Sequence, residues 1–186
     1  MAYNPFQSPV WDAERILKVM DLFIIRHGLA HPLGQKNDFT DEKRTLTAQG
    51  RDRMREVARG LRKLEVRPEM ILTSPFARAR ETAEIVADSL AVDAKMLMLT
   101  SNLAPGSPFE NLIAEIKEKH VESIALVGHE PDLGELAGLI ISGDSALALP
   151  LRKGGACCIN VTESVPSFGG TLVWLLTPKQ LRMLGK

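Results

Sequence analysis

The chain has 186 residues and 45% hydrophobic content, enough for one ordinary globular core with at most a short appendage. Lys plus Arg and Asp plus Glu both number 23, so no broad charge imbalance draws the protein to nucleic acid or to an acidic membrane surface. Any recognition of anions must therefore be local. Cys157 and Cys158 are adjacent, and strand alternation sends them to opposite faces, which leaves neither a framework disulfide nor a metal site and fits a reducing, cytoplasmic setting. Apolar runs such as Leu22–Ile25 are too short to span a bilayer, and the N-terminus lacks the basic start and long apolar stretch of a signal peptide.

Residues 1–19 hold Pro5 and Pro9 among Tyr3, Phe6 and Trp11, followed by a short helical pattern, and read as an appendage to a domain over 20–186. From Asp21 short apolar strands alternate with amphipathic helices. The pattern predicts strands over 21–26, 69–73, 92–98 and 122–128, and helices over 47–64, 75–90, 109–119 and 131–142. Two more strands, roughly 155–162 and 170–177, follow with only a polar connection. The expected fold is a three-layer α/β/α sandwich with a mainly parallel sheet and an antiparallel C-terminal hairpin. Ser74 and Glu130, each before a proline, and Thr47 read as helix starts. The stretch from Leu29 to Thr45 has no period and reads as a functional loop. Met96 and Met98 are expected in the core.

Three strands run into polar residues of one character: Arg26–His27–Gly28, Ser74–Pro75 with Arg78, and Gly128–His129. Ligands of open parallel sheets bind beyond the carboxyl ends of the strands, so these residues should gather at one edge. Two guanidinium forks, Arg26 and Arg78, can hold the nonbridging oxygens of a phosphoryl group. Neutral imidazole is a competent nucleophile near neutral pH, which suits His27, while His129 adds a donor if a neighbouring anion favours its protonated form. Gly28 allows a tight turn and close approach of phosphate to backbone amides. Arg44, in the loop, is a candidate to meet an acidic phosphoprotein surface.

Arg26–His27–Gly28 after a first strand, Ser74–Pro75–Phe76–Ala77–Arg78–Ala79 and Gly128–His129 resemble the histidine phosphatase superfamily over most of the chain from Met20. The short length, Asp41–Glu42–Lys43–Arg44 with Leu46–Thr47 and Gly50, and Leu103–Ala104–Pro105–Gly106 look like its SixA-type phosphohistidine phosphatases. The resemblance implies a nucleophilic His27 that forms a phosphohistidine intermediate, with Arg26, Arg78 and His129 binding the phosphoryl group, and no metal or other cofactor. Family members acting on esters usually carry an acidic residue after the second arginine, yet residues 94–109 hold no carboxylate. A departing imidazole needs such an acid least, so the expected substrate is phosphohistidine on signalling proteins. The rivals are a phosphatase of a small phosphorylated metabolite, for which Glu110 or a loop carboxylate would supply the acid, and a noncatalytic phosphoprotein-binding module. A mutase lacks the insertions needed to enclose a bisphosphate.

Overall fold

The computed structural model describes residues 19–34, 40–144, 146–164 and 167–186. The expected appendage lies outside them except for Val19, which opens the first strand. Leu22, Phe23, Ile24 and Ile25 are all buried, which is what a strand covered on both faces requires of its sequence. They form the centre of β1 (Val19–Arg26), in a sheet with β2 (Met70–Thr73), β3 (Leu97–Leu99), β4 (Ser123–Gly128), β5 (Ala156–Ser164) and β6 (Ser167–Leu176). The spatial order is β3-β2-β4-β1-β5-β6. The first four strands in that order run parallel; β5 is antiparallel to β1 and to β6. This is the expected three-layer α/β arrangement, with its antiparallel C-terminal hairpin.

Alternation along β1 divides the core. Leu22 and Ile24 pack toward α3 (Phe109–Glu118) and α4 (Asp132–Ser142); Phe23 and Ile25 pack toward α1 (Ala48–Lys63), α2 (Ala77–Leu90) and α5 (Pro178–Leu184). Cys157 joins the first cluster and Cys158 the second, so the adjacent thiols do face opposite layers. Burial pushes both thiols up to about 12, which keeps them protonated and unreactive.

The structure departs from the sequence reading where tertiary contacts override a local signal. The third strand is only Leu97–Leu99, because residues 94–96 form a short 3-10 turn capped by Asp93. Met96 packs against the core, but Met98, on this edge strand, is 38% exposed. Ser74 does not cap α2, which begins at Ala77; its hydroxyl accepts instead from the Phe76 amide. Glu130 is not the N-cap residue of α4, which is Pro131, although its carboxylate accepts from the Gly134 amide in the first turn. The Glu130–Pro131 bond is cis, and the Glu130 carboxylate accepts from the Leu151 amide. Thr47 does cap α1, accepting from Gly50 N at 2.8 Å.

Candidate active site

β1, β2 and β4 are neighbours at the middle of the sheet, so the residues that follow them meet at its carboxyl edge. His27, Arg78 and His129, distant in sequence, come together there and are 6%, 5% and 3% exposed. The His27 and His129 rings lie with centroids 5.1 Å apart.

The hydrogen bonds of His27 fix its tautomer. Its Nδ1 lies 2.7 Å from the Gly28 carbonyl oxygen, which can only accept, so Nδ1 carries the proton. Its Nε2 lies 3.2 Å from Arg78 Nε, which can only donate, so Nε2 carries the lone pair. Burial, with the neighbouring His129, Arg78 and Arg26 charges acting in the same direction, lowers the His27 pKa to about 3. The ring is thus neutral at any ordinary pH, with a nucleophilic nitrogen turned toward a guanidinium.

His129 is held by Ser74, whose hydroxyl is 2.9 Å from its Nε2, and by the edge of Phe76. Its pKa falls to about 3, through burial first and Arg78 second, so the ring is neutral here, and an added donor proton would require an anion beside it. Its Nδ1 and the Nε of Arg26 are buried with no hydrogen-bond partner among the described residues. Arg26 Nη1 donates to the Leu151 carbonyl at 2.7 Å.

The fork of Arg78 is filled by the loop. Its Nη1 donates to the Asp41 carbonyl at 2.6 Å and its Nη2 to the Asp41 carboxylate at 2.8 Å. Arg44 donates to the other oxygen of that carboxylate at 2.6 Å and, through Nε, to the His31 carbonyl at 2.8 Å. Hydrogen bonds from Arg44 and Arg78 hold the Asp41 carboxyl below its ordinary range despite the opposing effect of desolvation. Arg44 therefore reaches the pocket by way of Asp41. Glu110 is exposed on the first turn of α3; the loop carboxylate brought to Arg78 and Arg44 is Asp41.

Gly28 also answers a packing need that its sequence context does not show. Its amide donates to Thr82 Oγ1 at 3.0 Å, and a Cβ there would stand 2.6 Å from Met54 Cγ. The glycine serves packing of the turn against α1. Gly50 does likewise, since a Cβ would stand 2.1 Å from the Leu29 carbonyl oxygen. That carbonyl accepts from the Thr47 amide, which anchors the turn through its backbone.

Sequence reasoning missed two supporting residues. Buried Thr82 bridges the Gly28 amide and the Arg78 carbonyl, tying the turn after His27 to α2. Glu81 accepts from the Leu46 amide and from Arg51, fixing the end of the loop that carries Asp41. Thr82 stands four residues after Arg78, on its face of α2, and that spacing was the available signal.

A neutral imidazole nitrogen beside the Arg78 guanidinium, a second imidazole and the nearby positive charge of Arg26 at the edge of a parallel sheet form a pocket suited to phosphoryl transfer. Residues 22–138 match the model of the histidine phosphatase superfamily (branch 1), and the chain belongs to that superfamily, as a phosphatase. Among similar proteins, an uncharacterized protein of Picosynechococcus sp. is 36% identical over 73% of this chain and 82% of its own. Phosphohistidine phosphatase SixA of Escherichia coli is 28% identical over 88% of this chain and 98% of its own. The structure of protein histidine phosphatase SixA complexed with tungstate superimposes with a TM-score of 0.76 at 28% identity, covering 87% of this chain and 99% of that one.

Proposed function

We propose that the protein removes phosphoryl groups from histidine side chains of signalling proteins, with His27 as the nucleophile. The observation that carries this reading is the His27 tautomer: Nδ1–H bound to the Gly28 carbonyl and a lone pair on Nε2 beside Arg78. In the first step the Nε2 lone pair bonds to phosphorus as the phosphorus–nitrogen bond of the substrate breaks. The departing imidazole takes a proton from solvent. In the second step water attacks the phosphoryl group on His27, releasing phosphate and a proton and restoring the neutral ring.

Arg78 and Arg26 bind the equatorial oxygens, with the phosphoryl group replacing the Asp41 carboxylate on the Arg78 fork. His129 joins through its unpartnered Nδ1, and the bound dianion raises its affinity for a proton. Arg44 meets the acidic surface of the substrate. The absence of any carboxylate over residues 94–109 favours a phosphoramidate over an ester, and Asp41, the loop carboxylate at the site, is held in its ionised form by Arg44 and Arg78 and so is poorly set up as an acid; similarity to a relative named as a phosphohistidine phosphatase supports the same choice.

The test is a substrate panel. A phosphohistidine-containing protein is expected to turn over with kcat/KM at least 10²-fold above alkyl phosphate esters, about the size of a missing general acid. Equal or better turnover of a small phosphate ester would move the assignment to a metabolite phosphatase. Binding without any turnover would leave a noncatalytic module.

A further inference from the structure

We propose that a second, anion-binding subsite lies beside the phosphoryl pocket, in the cavity between the β1 turn, α1, residues 152–154 and α5, and that it takes acidic side chains of the substrate protein. The binding of acidic peptide does not depend on the phosphohistidine reading, but its use in catalysis rests on it.

The cavity measures about 380 Å³ and is lined by Arg26, Arg53, Arg152, Lys153 and Arg182, with no carboxylate in its wall. In a chain of zero formal net charge, five cations around one cavity are a local excess. Arg182 is paired with Glu56 outside it. Arg53, Arg152 and Lys153 are exposed, and among the described residues none of the ion pairs includes them. Lys153 is held below the ordinary lysine range, by partial burial first and then by Arg26, Arg44 and Arg78. The positive field of the phosphoryl pocket thus extends into this cavity.

The backbone fixes the two sites relative to each other. Gly154, at φ +79°, places its amide 3.1 Å from the carbonyl oxygens of both Arg26 and His27. Arg26 Nη1 in turn binds the Leu151 carbonyl. Arg152 and Lys153 are therefore carried by a loop pinned at both ends to the catalytic turn, and Arg53 faces them from α1. The cavity exceeds the size of one phosphate, and its cations are spread over β1, α1, the 152–154 loop and α5, with Met54 and Pro178 in the wall. That shape suits a stretch of polypeptide bearing more than one Asp or Glu, with apolar contact along its backbone, better than the second phosphate of a small molecule.

The test compares wild type with Arg53→Gln/Arg152→Gln/Lys153→Gln, three exposed positions outside the catalytic machinery. The first probe is an unphosphorylated, fluorescently labelled peptide rich in Glu, read by anisotropy beside a Gln-substituted control peptide. Wild type is expected to bind the acidic peptide at least tenfold more tightly than the control, with affinity falling as salt rises. The triple variant loses that tenfold while its tungstate affinity stays within twofold, and Arg53→Gln alone loses part of it. With phosphohistidine peptides, the variant raises KM about tenfold for the acidic sequence, leaving kcat and turnover of phosphoramidate unchanged. Equal binding of both peptides by wild type, unchanged peptide binding in the variant, parallel loss of tungstate binding, or tighter binding of a small bisphosphate than of the acidic peptide would overturn the proposal. Failure of the phosphohistidine reading would show separately, as no turnover of either phosphorylated peptide by wild type.

Discussion

The chemistry is set by individual hydrogen bonds. A histidine is poised as a nucleophile when one ring nitrogen is committed to an acceptor and the other is left with its lone pair, and the Gly28 carbonyl and Arg78 Nε do this for His27. Asp41 is the opposing residue: its carboxylate, 46% exposed, sits on the Arg78 fork proposed for the phosphoryl group. Replacing it with Asn keeps the backbone contact to Arg78 but removes the competing charge. Because a partly exposed ion pair contributes only about 0–1 kcal/mol, Asp41→Asn is expected to tighten tungstate binding roughly two- to fivefold. Weaker binding in a tungstate titration would instead make Asp41 a partner of the anion.

At the scale of elements, close approach of α1 and α5 holds the sheet face under the β1 turn. Gly60 permits it, since a Cβ there would stand 2.0 Å from the Leu181 carbonyl oxygen. Gly60→Ala gains about 1 kcal/mol in helix propensity. The clash with backbone outweighs that gain, and a net loss of about 1–3 kcal/mol is expected in urea denaturation. An unchanged or raised midpoint would show that α5 docks loosely. α5 itself went unread in the sequence although its signature is present: Thr177, Pro178 at the first turn and Gln180 form a capping box. The parallel strands and the helices that cover them were legible because their apolar periods are long and agree with one another. The third strand was overextended because its apolar run, Met96–Leu99, is shared between a turn and an edge strand. That His27, Arg78 and His129 would meet at one sheet edge was legible because the three strand ends repeat one chemistry. Asp41 on Arg78 and the 152–154 loop on the β1 turn were not, since both join segments whose approach only the folded chain defines.

For the whole molecule, burying two neutral imidazoles at one edge of the sheet couples folding to pH. His27 and His129 have folded pKa values of about 3, against about 6.5 in an unfolded chain. The unfolded state therefore binds more protons between those values, and the stability linked to these groups is complete at pH 7 and lost as pH falls from about 6.5 toward 3. Urea midpoints measured at pH 7.5, 6.0 and 5.0 should fall for wild type more steeply than for His27→Gln/His129→Gln. Equal slopes would mean that the two rings are not buried in their neutral form. The same burial keeps His27, the proposed nucleophile, unprotonated at pH values well above 3, so fold and proposed chemistry share one arrangement.

The most direct measurement of the central claim is trapping of the phosphorylated enzyme. Wild type mixed with a phosphohistidine protein, quenched in alkali and digested, should yield a peptide phosphorylated on His27, stable to base and lost in acid. His27→Ala should yield none, with a loss in kcat on the order of 10⁴ or more, as for removal of a catalytic nucleophile. Phosphate found on His129 or another residue, or turnover retained by His27→Ala, would contradict the account.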